Sequence, residues 1–109
     1  MAKQNKEFGK ATEAEIAVWK EKHQDIYQYK QTDENGNAHF TYVRKPKLAD
    51  ISLASRFADA DPIKANLCMF NSCRLGGSEV VLDNDELKQG VIKKVTRLFK
   101  SVEAEEVKL

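Results

Sequence analysis

The dipeptide Asn35–Gly36, set between two runs of alternating aromatic and polar residues, limits the folds open to this chain more than any other feature. Both positions accept the positive φ of a type I′ turn. The stretch DIYQYKQTDENGNAHFTYVRK, residues 25–45, therefore predicts a two-stranded antiparallel hairpin. A two-residue turn sets Glu34 opposite Asn37. Tyr29 then falls opposite Tyr42, Gln31 opposite Phe40 and Tyr27 opposite Arg44. One face would carry Tyr27, Tyr29, Phe40 and Tyr42, and cross-strand aromatic pairs of this kind contribute up to about 1 kcal/mol each. The other face would carry Ile26 and Val43 with Gln28, Lys30, His39 and Thr41. An isolated hairpin is marginal in water, so its aromatic face must be covered by helices or by another chain.

Helical signals stand on both sides of the hairpin. Thr12 and Glu15 have the spacing of a capping box, and Ile16, Trp19 and His23 follow at helical intervals, which predicts a helix over 13–23. After the hairpin, Pro46 ends the strand and biases Lys45 to an extended backbone. Leu48, Ile51, Ala54, Phe57 and Ala58 then predict a helix over 48–58. Asp61 caps a second helix with Pro62 at its first position, where a missing amide costs nothing, and Gly76–Gly77 reads as its left-handed stop. The segment SEVVLDNDE reads as an extended link or a brief strand, with Asp83 and Glu86 in a capping arrangement. Leu87, Val91, Val95, Leu98 and Val102 predict a long last helix, in which Gly90 costs roughly 1 kcal/mol against alanine and permits a close crossing. The expected architecture is an α+β domain in which an N-terminal helix, a two-stranded antiparallel hairpin and three further helices follow one another. Residues 1–11 read as a flexible lead, 12–103 as a single globular domain and 104–109 as a fraying tail.

The composition narrows the function classes. A chain of 109 residues with 32% charged and 41% hydrophobic residues is long enough for one core without disulfides or metal. A formal net charge of +1 exerts no global pull on nucleic acid or an acidic membrane. No apolar run approaches the roughly 18 residues of a membrane span, and the first ten residues lack the apolar heart of an export signal. Cys68 and Cys73 stand five residues apart in a helical pattern, where they point in different directions, which predicts two reduced thiols in a cytoplasmic protein.

No catalytic motif is legible. The serines lie outside any G-x-S-x-G elbow. His39 reads as a solvent-facing strand residue, and His23 as a residue at a helix end that complements the dipole. Neither cysteine belongs to a close ligand pair of the kind zinc sites use, so neither metal nor cofactor is expected. The chain is read as a non-enzymatic protein. What remains is a basic elbow, Arg44, Lys45 and Lys47, beside Phe40 and Tyr42. These five residues are the candidate partner-binding site. Ordinary solvation of a strand end is the competing account of the charges, and a core position that of the aromatics.

The passage YVRKP at 42–46, LADISLA at 48–54, DADPIKANLCMFNSCRLGGSE at 59–79 and DNDELKQGV at 83–91 resembles the small tail assembly chaperones of tailed phages and prophages, most of all those from phages of Bacteroidetes-type hosts. The likeness spans about residues 13–100 and rests on layout, with no invariant chemistry behind it. It implies a cytoplasmic protein that binds the tape measure protein during tail assembly, helps recruit tail tube subunits and leaves before the virion is complete. Such a chaperone would shield an aggregation-prone helical surface with an exposed apolar groove. The other classes are a structural virion component, such as a connector or tail completion protein, and a small nucleic-acid-binding regulator acting through the elbow and the last helix. The hairpin edge and the last helix each offer a route to homo-oligomers.

Overall fold

The computed structural model describes residues 6–99 and 104–109. It is an α+β structure, and among the described residues it contains a four-stranded mixed sheet and five helices. In chain order these are β1 (Glu7–Phe8), α1 (Glu13–Lys22), β2 (Ile26–Thr32), β3 (Ala38–Arg44), α2 (Leu48–Ala58), α3 (Pro62–Cys73), β4 (Arg74–Gly77), α4 (Glu79–Asp83) and α5 (Asp85–Val95). The expected order thus needs correction at its start, because a short strand precedes the first helix.

Strand β3 is the axis of the sheet. On one side it pairs antiparallel with the whole of β2. On the other, β1 runs parallel beside Ala38 and His39, and β4 runs antiparallel beside Thr41 to Val43. Two short segments far apart in sequence together occupy one edge of β3. This explains the second correction. Gly76 and Gly77 do not stop a helix; they belong to β4. At Gly77, φ is +133° and an added Cβ would lie 2.3 Å from the Phe40 carbonyl oxygen, so only glycine brings the backbone this close. A bulge at Tyr42 and Val43 leaves Leu75 without a cross-strand partner and packs it against the aromatic core.

The hairpin register differs from the expected one by a single residue. Tyr29 faces Thr41, Lys30 faces Phe40, and Ile26, not Tyr27, faces Arg44. The cause is the turn. Asp33 Oδ1 accepts from the amides of Asn35 and Asn37, and the Gly36 amide bonds the Asp33 carbonyl. Gly36 alone takes positive φ, at +82°. The loop is therefore a turn closed by a left-handed glycine with an extra residue, the bulged form, and not the two-residue I′ form. Because side chains alternate with period two, that extra residue separates the aromatics onto opposite faces.

Each face has its own cover. Ala38, Phe40 and Tyr42 pack under α1, against Ala11, Ile16, Trp19 and Leu75. The Trp19 and Tyr42 rings lie 5.3 Å apart. On the other face Val43, Phe70, Cys73, Val81, Val91, Ile92 and Val95 form the larger core, with Tyr27 and Tyr29 at its margin. Helix α1 is fastened by the expected box: Glu15 donates its amide to Thr12 Oγ1, and Glu15 Oε1 accepts from the Thr12 amide. Asp61 caps α3 by accepting from the Lys64 amide.

The segment read as an extended link is helix α4, whose Val81 is fully buried. Its successor α5 is capped by Asn84, which accepts from the Leu87 amide, in place of the expected Asp83. That helix ends at Val95, and Lys100 and Val102 lie outside the described residues. The close approach at Gly90 is to a strand: an added Cβ would sit 2.7 Å from Gln31 Nε2, which donates to the Leu87 carbonyl at 2.8 Å. Residues 104–109 carry no helix or strand.

Candidate functional site

The elbow between β3 and α2 is a built joint. Arg44 Nη1 donates to Asp50 Oδ2 at 2.7 Å, and Nη2 donates to Asp50 Oδ1 at 2.9 Å. Nη2 also donates to the Ser72 carbonyl near the end of α3, at 2.9 Å. Asp50 in turn accepts from the Lys47 amide at 2.8 Å, which is the acidic half of a capping box; a lysine side chain has no acceptor with which to complete the other half. One guanidinium thus ties a strand end to the start of α2 and the end of α3. The hydrogen bonds from Arg44 hold the Asp50 carboxyl below the usual carboxylate range, and the same bonds push the Arg44 guanidinium up. Pro46 is buried in the corner, while Lys45 and Lys47 are exposed.

Of the five residues proposed as a contact surface, three are therefore committed elsewhere. Phe40 and Tyr42 are 4% and 1% exposed and lie beneath α1, where the Tyr42 hydroxyl accepts from the Ala11 amide and donates to Gln28 Oε1. Arg44 is paired as described. The elbow is left with two lysines and a small pocket of about 190 Å³ shared with His23. His23 Nδ1 is buried without a partner, and burial lowers the affinity of that imidazole for a proton, with Arg44 and Lys47 acting in the same direction.

The expectation that His39 faces solvent is overturned. It is 1% exposed, with Nδ1 2.9 Å from Ser78 Oγ and Nε2 2.8 Å from Asp33 Oδ2. The Phe8 ring stacks on it at 5.1 Å. The His39 bond is the main reason that the Asp33 carboxyl sits below its usual range. Serine, histidine and aspartate stand in a row here, yet Ser78 is only 2% exposed and the ring nitrogens are used the opposite way round from a hydrolytic triad. The row ties the hairpin turn to the start of α4. The one-residue register shift put His39 on the core face, and β1 with Ser78 closed over it.

The surface the sequence did not reveal is the α2–α3 arm. Helix α2 packs on α3 and buries only Asp50 and Ala54. Leu48, Leu53 and Ile63 are 70%, 42% and 76% exposed. Between the helices runs a largely apolar groove of about 420 Å³, lined by Phe57, Lys64, Leu67, Cys68, Asn71 and Ser72. The Lys64 ammonium stands 4.7 Å from the Phe57 ring centre at its side. Leu53 stands outside the apolar stripe of α2, but Ile63 is in step with Leu67 and Phe70 and reads from the sequence as part of the packing stripe of α3, so its exposure was not legible. Both thiols are free; Cys68 is half-buried at the groove, and Cys73 is buried in the core, where desolvation pushes its thiol up to about 11.

Among the described residues no helix is long and apolar enough to cross a membrane, and no group of three or more histidine, cysteine or acidic side chains could hold a metal ion. No protein-family model, curated protein or solved structure matches the chain.

Proposed function

We propose that this chain is a non-enzymatic protein-binding module that receives a helical, partly apolar segment of a partner in the α2–α3 groove. The observation that carries this is the arm itself. Two helices fixed at one end by Arg44 leave an apolar groove between them, and the same two helices expose Leu48, Leu53 and Ile63. Helix-in-groove recognition uses such a surface, and exposed apolar clusters on a small domain mark interaction sites.

Joined to the likeness of residues 13–100 to tail assembly chaperones, the arm supports a sharper form of the proposal. The partner is a long helical tape measure protein, held in the host cytoplasm during tail assembly, with tail tube subunits recruited afterwards. The regulator reading is the weaker one, because Arg44, the central cation of the elbow, spends its donors on Asp50 and the Ser72 carbonyl.

The test is affinity purification of tagged protein from phage-producing cells, alongside the groove variant Phe57→Ser. A helix-rich tail protein recovered with the native chain and lost with the variant supports the proposal. Recovery of the chain in purified virions would move it to the structural class. Steeply salt-dependent capture of nucleic acid would move it to the regulators.

A further inference from the structure

Among the described residues, strand β2 forms one edge of the sheet. Bonds from the Asp33 amide to the Asn37 carbonyl and from the Lys45 amide to the Asp25 carbonyl mark both ends of the β2–β3 ladder and set its phase. In an antiparallel ladder, alternate residues exchange both hydrogen bonds with their partner. Tyr27, Tyr29 and Gln31 therefore bond to β3, whereas Ile26, Gln28, Lys30 and Thr32 direct their amides and carbonyls away from the sheet. Strand β2 stands at the end of the strand order and, among the described residues, pairs with β3 alone. Edge strands are commonly protected by charged side chains, lysine above all, by proline or by bulges. Here the seven residues include no proline, the pairing has no bulge, and Lys30 is the sole charge. Gln28, Lys30 and Thr32 are exposed.

We infer that this edge pairs with the same edge of a second copy, antiparallel about a two-fold axis through Tyr29. The edge is self-complementary in that register. Ile26 of one copy faces Thr32 of the other and Gln28 faces Lys30, so every outward-facing residue exchanges its hydrogen bonds and no like charges meet. Moving the axis one residue towards Lys30 sets Lys30 against Lys30 and carries Ile26 past the strand end. Moving it the other way sets Gln28 against itself and leaves Thr32 without a strand partner. The Tyr29 side chains of the two copies meet in a non-hydrogen-bonded pair, the closer of the two antiparallel spacings. A two-fold axis makes the contact isologous and closed, so it yields a dimer and not a fibre. The inference stands on the sheet edge and is independent of the α2–α3 groove.

The test is sedimentation equilibrium of the full chain, combined with amide hydrogen exchange over a range of concentrations. A dimer is expected, with protection at Gln28 and Lys30 rising with concentration while Tyr27 and Tyr29 stay constant. The substitution Gln28→Glu keeps an acceptor for the Tyr42 hydroxyl and places a carboxylate opposite Lys30 twice per dimer. It should tighten the dissociation constant roughly 2- to 30-fold. A chain that stays monomeric at every concentration overturns the inference and leaves the edge to a strand from a different protein. A dimer in which the Gln28 and Lys30 amides exchange freely, or whose affinity ignores Gln28→Glu, overturns it as well.

Discussion

The Arg44 guanidinium grips the Asp50 carboxylate with both terminal nitrogens, at 2.7 and 2.9 Å, and keeps a third bond for the Ser72 carbonyl. The two side chains are 14% and 12% exposed. Removing either partner strands the other in a poorly hydrated joint. Asp50→Ala should cost about 3 kcal/mol in urea denaturation, because an uncompensated charge remains and the cap of α2 is lost with it.

The same pair predicts a pH dependence. In the folded chain Asp50 titrates below its ordinary value of 3.8, and Asp33 does so too. The unfolded chain thus binds more protons across that interval, and stability rises with pH through it. The contribution of both carboxylates is complete above the unfolded value and is lost as pH falls through the folded values. Native protein should lose stability steeply below about pH 4, and Asp50→Asn should flatten that slope. Urea midpoints measured between pH 2.5 and 6 decide the matter.

Gly77→Ala should be far more damaging than Gly76→Ala. The first adds a Cβ against the backbone of β3 at positive φ; the second meets only the edge of the Trp19 ring, at 3.1 Å. A loss of about 3 kcal/mol or more is expected at Gly77 and under about 1 kcal/mol at Gly76. Thermal melts of the two variants make the comparison.

The two thiols should separate cleanly. Cys68, half-buried at the groove, should react with a maleimide in the folded protein. Cys73 lies in the core with its thiol pushed up to about 11 and should react only on unfolding. If the groove binds a partner, blocking Cys68 should abolish capture while leaving the circular dichroism spectrum unchanged.

Surface and core aromatics and aliphatics should also part company. Leu53→Ser and Ile63→Ser should change stability by no more than about 0.5 kcal/mol yet weaken partner capture. Phe40→Ala should cost about 3–5 kcal/mol, since its ring lies beneath α1. Retained capture with Leu53→Ser and Ile63→Ser together would remove the arm from the binding surface.

Much of this fold was legible because its signals are local. The capping box at Thr12, the N-cap at Asp61, the proline corner at Pro46 and the span of α2 each depend on residues within one or two turns of chain. The candidate site was harder to see. Arg44 was visible as a cation beside aromatics, but its meaning depends on Asp50 and Ser72. The groove forms only where α2 lies on α3. Nothing in the stripe of either helix alone says which apolar side chains the other will leave uncovered.

The sequence alone determined that residues 25–45 form a hairpin and that capped helices follow it, because turns and caps are satisfied by near neighbours. Tertiary structure alone decided which face each aromatic occupies. Asp33 added one residue to the turn, and that single step turned Phe40 and Tyr42 towards α1 and His39 towards Ser78. It alone decided, too, that Glu7–Phe8 and Arg74–Gly77 are strands. Both are too short to announce themselves by period. Each exists because β3 offered a row of amides and carbonyls that had to be paired once buried.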